Sequence, residues 1–79
     1  MSIRILSDNT KMWYKDGQLH REDGPAIECP DGTQYYYIDG ELHRIDGPAV
    51  IYPNGKRSWF LNGIGYYEEH WKELIKLQK

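Results

Sequence analysis

The sequence predicts a mainly β fold: an antiparallel meander of about three 23-residue repeats, closed by one C-terminal amphipathic α-helix. Three observations carry that expectation. The text Leu-His-Arg-x-Asp-Gly-Pro-Ala occurs at residues 19–26 and again, 23 residues on, at 42–49. Asp-Gly or Asn-Gly recurs at the same interval, at Asp16-Gly17, Asp39-Gly40 and Asn62-Gly63. From Tyr67 onward there is neither Gly nor Pro, and the apolar spacing becomes helical.

Self-similarity at a fixed period marks a repeat architecture. Carried along the chain, the period lays Asp8-Asn9-Thr10 on Asp31-Gly32-Thr33 and on Asn54-Gly55-Lys56. It lays Trp13-Tyr14 on Tyr36-Tyr37 and on Trp59-Phe60. One domain of residues 1–79 results, divided at about 2–24, 25–47 and 48–70.

Each unit reads as strand, turn, strand, turn, short strand. The Asp-Gly and Asn-Gly pairs suit type I′ hairpins, whose two central residues need positive φ. Pro30-Asp31-Gly32 and Pro53-Asn54-Gly55 suit turns in which Pro presets φ and Gly takes the left-handed site. Pro25 and Pro48 lack an N–H, so each begins a strand or sits at an edge. Strands are expected at about 2–6, 11–15, 18–21, 26–29, 34–38, 41–44, 49–52, 57–61 and 64–66. The connections are too short for parallel crossovers.

Residues 67–78 read as the helix. Tyr67, Trp71, Leu74 and Gln78 share a face, flanked by His70 and Leu77. Glu68 and Glu69 lie at its start and Lys76 and Lys79 at its end, as the macrodipole favours. In the third unit Gly65-Tyr66-Tyr67 replaces Leu-His-Arg, so the unit is abandoned where the helix begins. Repeat arrays need such a cap.

Composition narrows the function. The chain has 79 residues, a net charge of −2 and a mean hydropathy of −0.80. Generic nucleic-acid binding needs a basic patch that is missing here. No apolar run approaches the roughly 18 residues of a membrane span, and no signal peptide is visible. Cys29 is the single cysteine, which fits a reducing cytosol and points to the cytoplasm. Seven Tyr, three Trp and one Phe must supply most of the core. Aromatics left over would form a strip suited to a protein partner, including a second copy of the chain. The candidates are Trp13, Tyr35, Tyr37, Trp59 and Trp71. An uncovered edge, such as strand 2–6, offers another route to self-association.

The text Tyr-x-Asp-Gly-x-Leu-His-Arg-x-Asp-Gly-Pro-Ala, at 14–26 and 37–49, resembles the variant MORN-type repeats found in small proteins of large bacteriophages and giant viruses. The resemblance covers roughly residues 8–66 and leaves out the helical tail. It implies a curved antiparallel sheet used as an interaction scaffold, with no reaction, cofactor or catalytic residue. It further implies a phage or viral accessory protein, acting in the host cytoplasm, that binds and inhibits a host factor such as a defence nuclease. Gly32 with Tyr35-Tyr36-Tyr37 and Asp39-Gly40 is similar, more loosely, to choline- and cell-wall-binding hairpin repeats, which hold a cation between rings.

The remaining constellations are weighed against ordinary structure. His20, Arg21, His43 and Arg44 form a candidate anion site, since Arg forks onto phosphate oxygens. That makes sequestration of a nucleotide or other anion the alternative function. Recurrence beside Asp23 and Asp46, each preceding a Gly-Pro corner, favours arginines that brace the corners. His20, His43 and His70 lie 23 and 27 residues apart, without the closely spaced pair a zinc site needs. Cys29 has no counterpart in the other units and no catalytic motif surrounds it. The chain is therefore expected to be no enzyme and to carry no metal or cofactor.

Overall fold

Among the described residues, ten short strands precede one helix: β1 (Ser2–Ile5), β2 (Lys11–Lys15), β3 (Gln18–Leu19), β4 (Ile27–Glu28), β5 (Gln34–Tyr35), β6 (Tyr37–Ile38), β7 (Glu41–Leu42), β8 (Val50–Ile51), β9 (Arg57–Leu61), β10 (Ile64–Tyr66) and α1 (Glu68–Leu77). The structure is a computed structural model and describes residues 2–77. The fold is mainly β, an antiparallel hairpin meander with a single C-terminal helix.

The 23-residue period is visible in the pairing itself. Within units, Ile5 faces Lys11, Glu28 faces Gln34 and Ile51 faces Arg57. Between units, β2 pairs with β4 (Lys11 opposite Glu28) and β5 pairs with β8 (Gln34 opposite Ile51). One sheet therefore runs β1-β2-β4-β5-β8-β9-β10, with β3 beside β2 off that path. The hairpin β6–β7 stands apart as its own two-stranded sheet. Backbone bonds still tie the hairpins into a row. Gly40 N–H donates to the Leu19 carbonyl at 2.9 Å and Gly63 N–H to that of Leu42 at 2.8 Å.

The turns follow the predicted chemistry. Asp16, Asp39 and Asn62 have φ of 51°, 50° and 50°, and Gly17, Gly40 and Gly63 have 79°, 81° and 81°. Both central residues are left-handed, as type I′ requires. At the other turns Asn9, Gly32 and Gly55 occupy one left-handed position, with φ of 74°, 96° and 87°. Asp8, Asp31 and Asn54 accept the N–H two residues on, from Thr10, Thr33 and Lys56, at 2.9, 2.9 and 3.0 Å.

Several expected strands are shorter. The strands at 18–21 and 41–44 end at Leu19 and Leu42, because the chain leaves the hairpin there to form its corner. The strand at 34–38 divides at Tyr36, whose N–H goes to Ala49 of the next unit at 2.7 Å. Trp13 N–H does the same to Ala26 at 2.8 Å. In the first two units the long strand thus serves two partners, the next unit with its first half and its own hairpin with its second.

The core also differs from expectation. It consists of Ala26, Ala49, Val50, Leu61 and Trp71, with His20 and Thr33 as buried polar members. Trp13, Tyr35, Tyr36, Tyr37 and Trp59 are only half-buried, while Tyr67 is 90 % exposed. The cause is shape. The molecule measures 39 × 31 × 18 Å, room for a sheet and one partial covering layer.

The helix begins at Glu68, one residue after the expected start. Tyr67 precedes it, and Gln78 lies outside the described residues. Trp71 is its buried residue, Leu74 and Ile75 are half-buried, and Leu77 is 81 % exposed. Glu68 and Glu69 open it and Lys76 closes it. Lys72 lies 3.3 Å from Glu68, the pairing expected across one turn.

Candidate binding surface

Each repeated corner is built around its arginine. Arg21 donates through Nε to Asp23 at 3.1 Å, and through Nη1 to the Pro25 carbonyl at 3.1 Å and to Glu28 at 3.2 Å. Its guanidinium carbon lies 3.9 Å from the centre of the Trp13 ring. Arg44 repeats this, with Asp46 and the Pro48 carbonyl both at 3.0 Å and the Tyr36 ring at 3.9 Å. Glycine follows each Asp for a steric reason. A Cβ at Gly24 or Gly47 would sit 3.0 or 2.8 Å from the guanidinium carbon. The arginines brace the corners, as the recurrence suggested.

The histidines join one unit to the next. His20 Nδ1 accepts the Asp39 N–H at 2.9 Å, and His43 Nδ1 accepts the Asn62 N–H at 3.0 Å. Since Nδ1 accepts, the network assigns the proton to Nε2, which in His20 donates to Glu22 at 3.0 Å. That bond holds the Glu22 carboxyl below its ordinary value.

The third unit carries Tyr66 and Tyr67 where the others carry His and Arg. There the helix supplies the missing cover. Trp71 packs on Trp59 with ring centres 4.6 Å apart and donates its indole N–H to the Arg44 carbonyl at 3.1 Å. Three rings at equivalent positions, Trp13, Tyr36 and Trp59, are thereby covered by Arg21, Arg44 and Trp71.

The five aromatics expected to bind a partner do not form one open strip. Trp71 is buried against Trp59, a correction that follows from its role as cover. Trp13 lies under Arg21. Tyr35 and Tyr37 are half-buried in β5 and β6. Burial raises the Tyr35 phenol above its usual value, with the nearby Cys29 adding to the shift. Burial also raises the Cys29 thiol, and Asp31 and Asp8 reinforce it.

The four candidate anion contacts do come together. His20, Arg21, His43 and Arg44 line one open groove of about 760 Å³ between the two corners. Its charges do not favour an anion. Lys15, Arg21 and Arg44 share it with Glu22, Asp23, Asp39 and Asp46. Both guanidinium groups already serve the corners.

A second groove, of about 720 Å³, opens at the far end of the array. Arg57, Ser58, Trp59, Phe60, Gly65, Tyr66, Tyr67, Glu68 and His70 line it. Of these, the sequence pointed only to Trp59 as a partner contact. The signal lay in the missing fourth copy, because Arg57 and Ser58 occupy positions that pair with a following unit elsewhere. Among the described residues no group of three or more His, Cys, Asp or Glu could hold a metal ion, and no helix is long and apolar enough to cross a membrane.

Comparison with protein-family models, with curated proteins and with solved structures finds no match.

Proposed function

We propose that the chain is a non-enzymatic protein-binding module. The observation that carries this is the apolar surface at both ends of the array. Ile3 and Ile5 are 58 % and 60 % exposed on β1, and Ile64 and Tyr67 are 57 % and 90 % exposed beside the last strand. Apolar side chains beside open strand edges suit another polypeptide better than a small solute. The anion-sequestering alternative loses support because Arg21 and Arg44 already hold Asp23, Asp46 and the corner carbonyls. The resemblance to phage repeat proteins adds that the partner is a host defence factor in the host cytoplasm.

Affinity capture from a host-cell lysate tests the reading, with retained proteins and extractable small molecules both identified. The expected result is a dominant protein partner that the double variant Ile64→Lys, Tyr67→Lys no longer retains. Retention of a nucleotide with no protein overturns it.

A further inference from the structure

The end groove is the place where a fourth unit would dock, and its register is already written inside the molecule. At each internal junction the first half of a long strand pairs with the first strand of the next unit. Met12 faces Ile27 in one, and Tyr35 faces Val50 in the other. The equivalent residues of the last unit, Arg57 and Ser58, pair with β8 on one side. On the other side the chain turns into α1 after Tyr66 instead of returning. Ser58 accepts the Ala49 N–H through its carbonyl at 2.9 Å. Backbone groups alternate along a strand, so the N–H and carbonyl of Arg57 face the open side.

We propose that this slot binds an extended peptide segment of a partner by strand addition, and that the segment has the character Pro-Ala-(Ile/Val). The two occupants of the equivalent internal slots define that chemistry. They are Pro25-Ala26-Ile27-Glu28 and Pro48-Ala49-Val50-Ile51. Ala26 and Ala49 are 0 % exposed and Val50 is 2 % exposed, so the slot takes a small residue followed by a β-branched one. Main-chain bonds supply affinity in this mode and the alternate side chains supply specificity. Tyr66, Tyr67 and Phe60 line the groove and provide apolar surface.

The chain's own free strand is a poor occupant. In β1, Ile3 stands where Ala26 and Ala49 stand, and Arg4 stands where Ile27 and Val50 stand. A second copy docking through β1 places a bulkier side chain at the tightest position and a charge where the internal slots hold the half-buried Ile27 and the buried Val50. Charges set on such edges oppose edge-to-edge pairing. The slot thus selects a foreign segment over self-association. The inference deepens the protein-binding reading by naming what one end of the array recognises.

The test titrates the full-length protein with a synthetic peptide copying residues 46–52, Asp-Gly-Pro-Ala-Val-Ile-Tyr, under backbone-amide NMR. Saturable shifts are expected at Arg57, Ser58 and residues 66–68, with a dissociation constant on the order of 1 mM or tighter. Exchange of the Arg57 amide with solvent should slow on binding. Replacing the peptide's Ala by Leu should weaken binding about tenfold or more, about 1.4 kcal/mol. Arg57→Pro removes the N–H facing the slot and should abolish binding while circular dichroism is unchanged. The proposal is overturned by shifts that map away from Arg57, or by equal binding of the Leu peptide. Equal binding of a peptide copying residues 1–7 also overturns it, since that assigns the slot to a second copy. If the peptide does not bind but the captured partner is still lost on Ile64→Lys, Tyr67→Lys, the slot falls and the protein-binding reading stands.

Discussion

Arg21 and Arg44 each satisfy a carboxylate, a corner carbonyl and an aromatic face at once. A planar fork with several donors can do this, and an ammonium on a flexible stem cannot. Arg44→Ala leaves the Pro48 carbonyl without its partner, a loss of about 1–3 kcal/mol, and uncovers the Tyr36 ring. A domain of this size shifts its Tm by about 4–8 °C per kcal/mol. Arg44→Ala should therefore melt several degrees lower, and Arg44→Lys should recover less than half of the loss. Differential scanning calorimetry of the three proteins decides it; full recovery by Lys means that charge alone matters. The turn carboxylates give a second residue-scale prediction. The hydroxyl and the N–H of Thr10 hold Asp8, and the N–H and the hydroxyl of Thr33 hold Asp31, below their ordinary value of 3.8. A depressed carboxyl stabilises the fold above its unfolded pKa, and that contribution is lost as pH falls through the lower folded value. Asn54 makes the equivalent bond without titrating. The double variant Asp8→Asn, Asp31→Asn should keep the turns and show a shallower loss of stability below about pH 4, read from urea midpoints. An unchanged acid slope overturns the assignment.

At the level of elements, α1 serves as the cover for Trp59 that the third corner lacks. Its hold on the sheet depends on Trp71, which combines ring packing with an indole bond to the Arg44 carbonyl. Truncating a buried Trp to Ala costs about 3–5 kcal/mol. Trp71→Ala should release the helix, lowering helical circular dichroism and the urea midpoint together. Trp71→Phe keeps one six-membered ring against Trp59 but loses the indole's second ring and its N–H bond, so it should lower the urea midpoint by less than Trp71→Ala. A helix signal that survives Trp71→Ala shows that Leu74 and Ile75 suffice to hold it. This substitution of one cover by another also marks how far the sequence could be read. The hairpins were legible, because Asp16-Gly17, Asp39-Gly40 and Asn62-Gly63 encode their turns locally. The corner braces were legible from recurrence, since Arg and Asp keep a fixed spacing. Ring cover was not, because Arg21 reaches Trp13 across a fold in the chain and Trp71 reaches Trp59 from a different kind of element. The same reason made Trp71 look available to a partner. Tyr67 looked like part of the helical stripe by spacing alone, but it precedes α1 and stands in solvent.

Taken as a whole, the molecule is a short array in which each unit rests on its neighbour. The buried set is small, and its two fully buried residues, Ala26 and Ala49, sit at the two junctions between units. A unit of 23 residues cannot bury enough surface to stand alone. Failure at either junction must therefore propagate through the array. Ala26→Val and Ala49→Val both insert methyl groups into a filled position, which costs about 1–3 kcal/mol. Each should lower stability within that range, because the junctions share one register. Each should also leave a single urea transition, with tryptophan fluorescence and far-ultraviolet circular dichroism superimposed. Separate transitions for the two probes would mean that units unfold independently. An imposed difference between the variants has a definite sign. Arg21 is tied additionally to Glu28, whereas Ile51 leaves Arg44 without that contact, so the first junction has less freedom to yield. Ala26→Val should be the more damaging of the two.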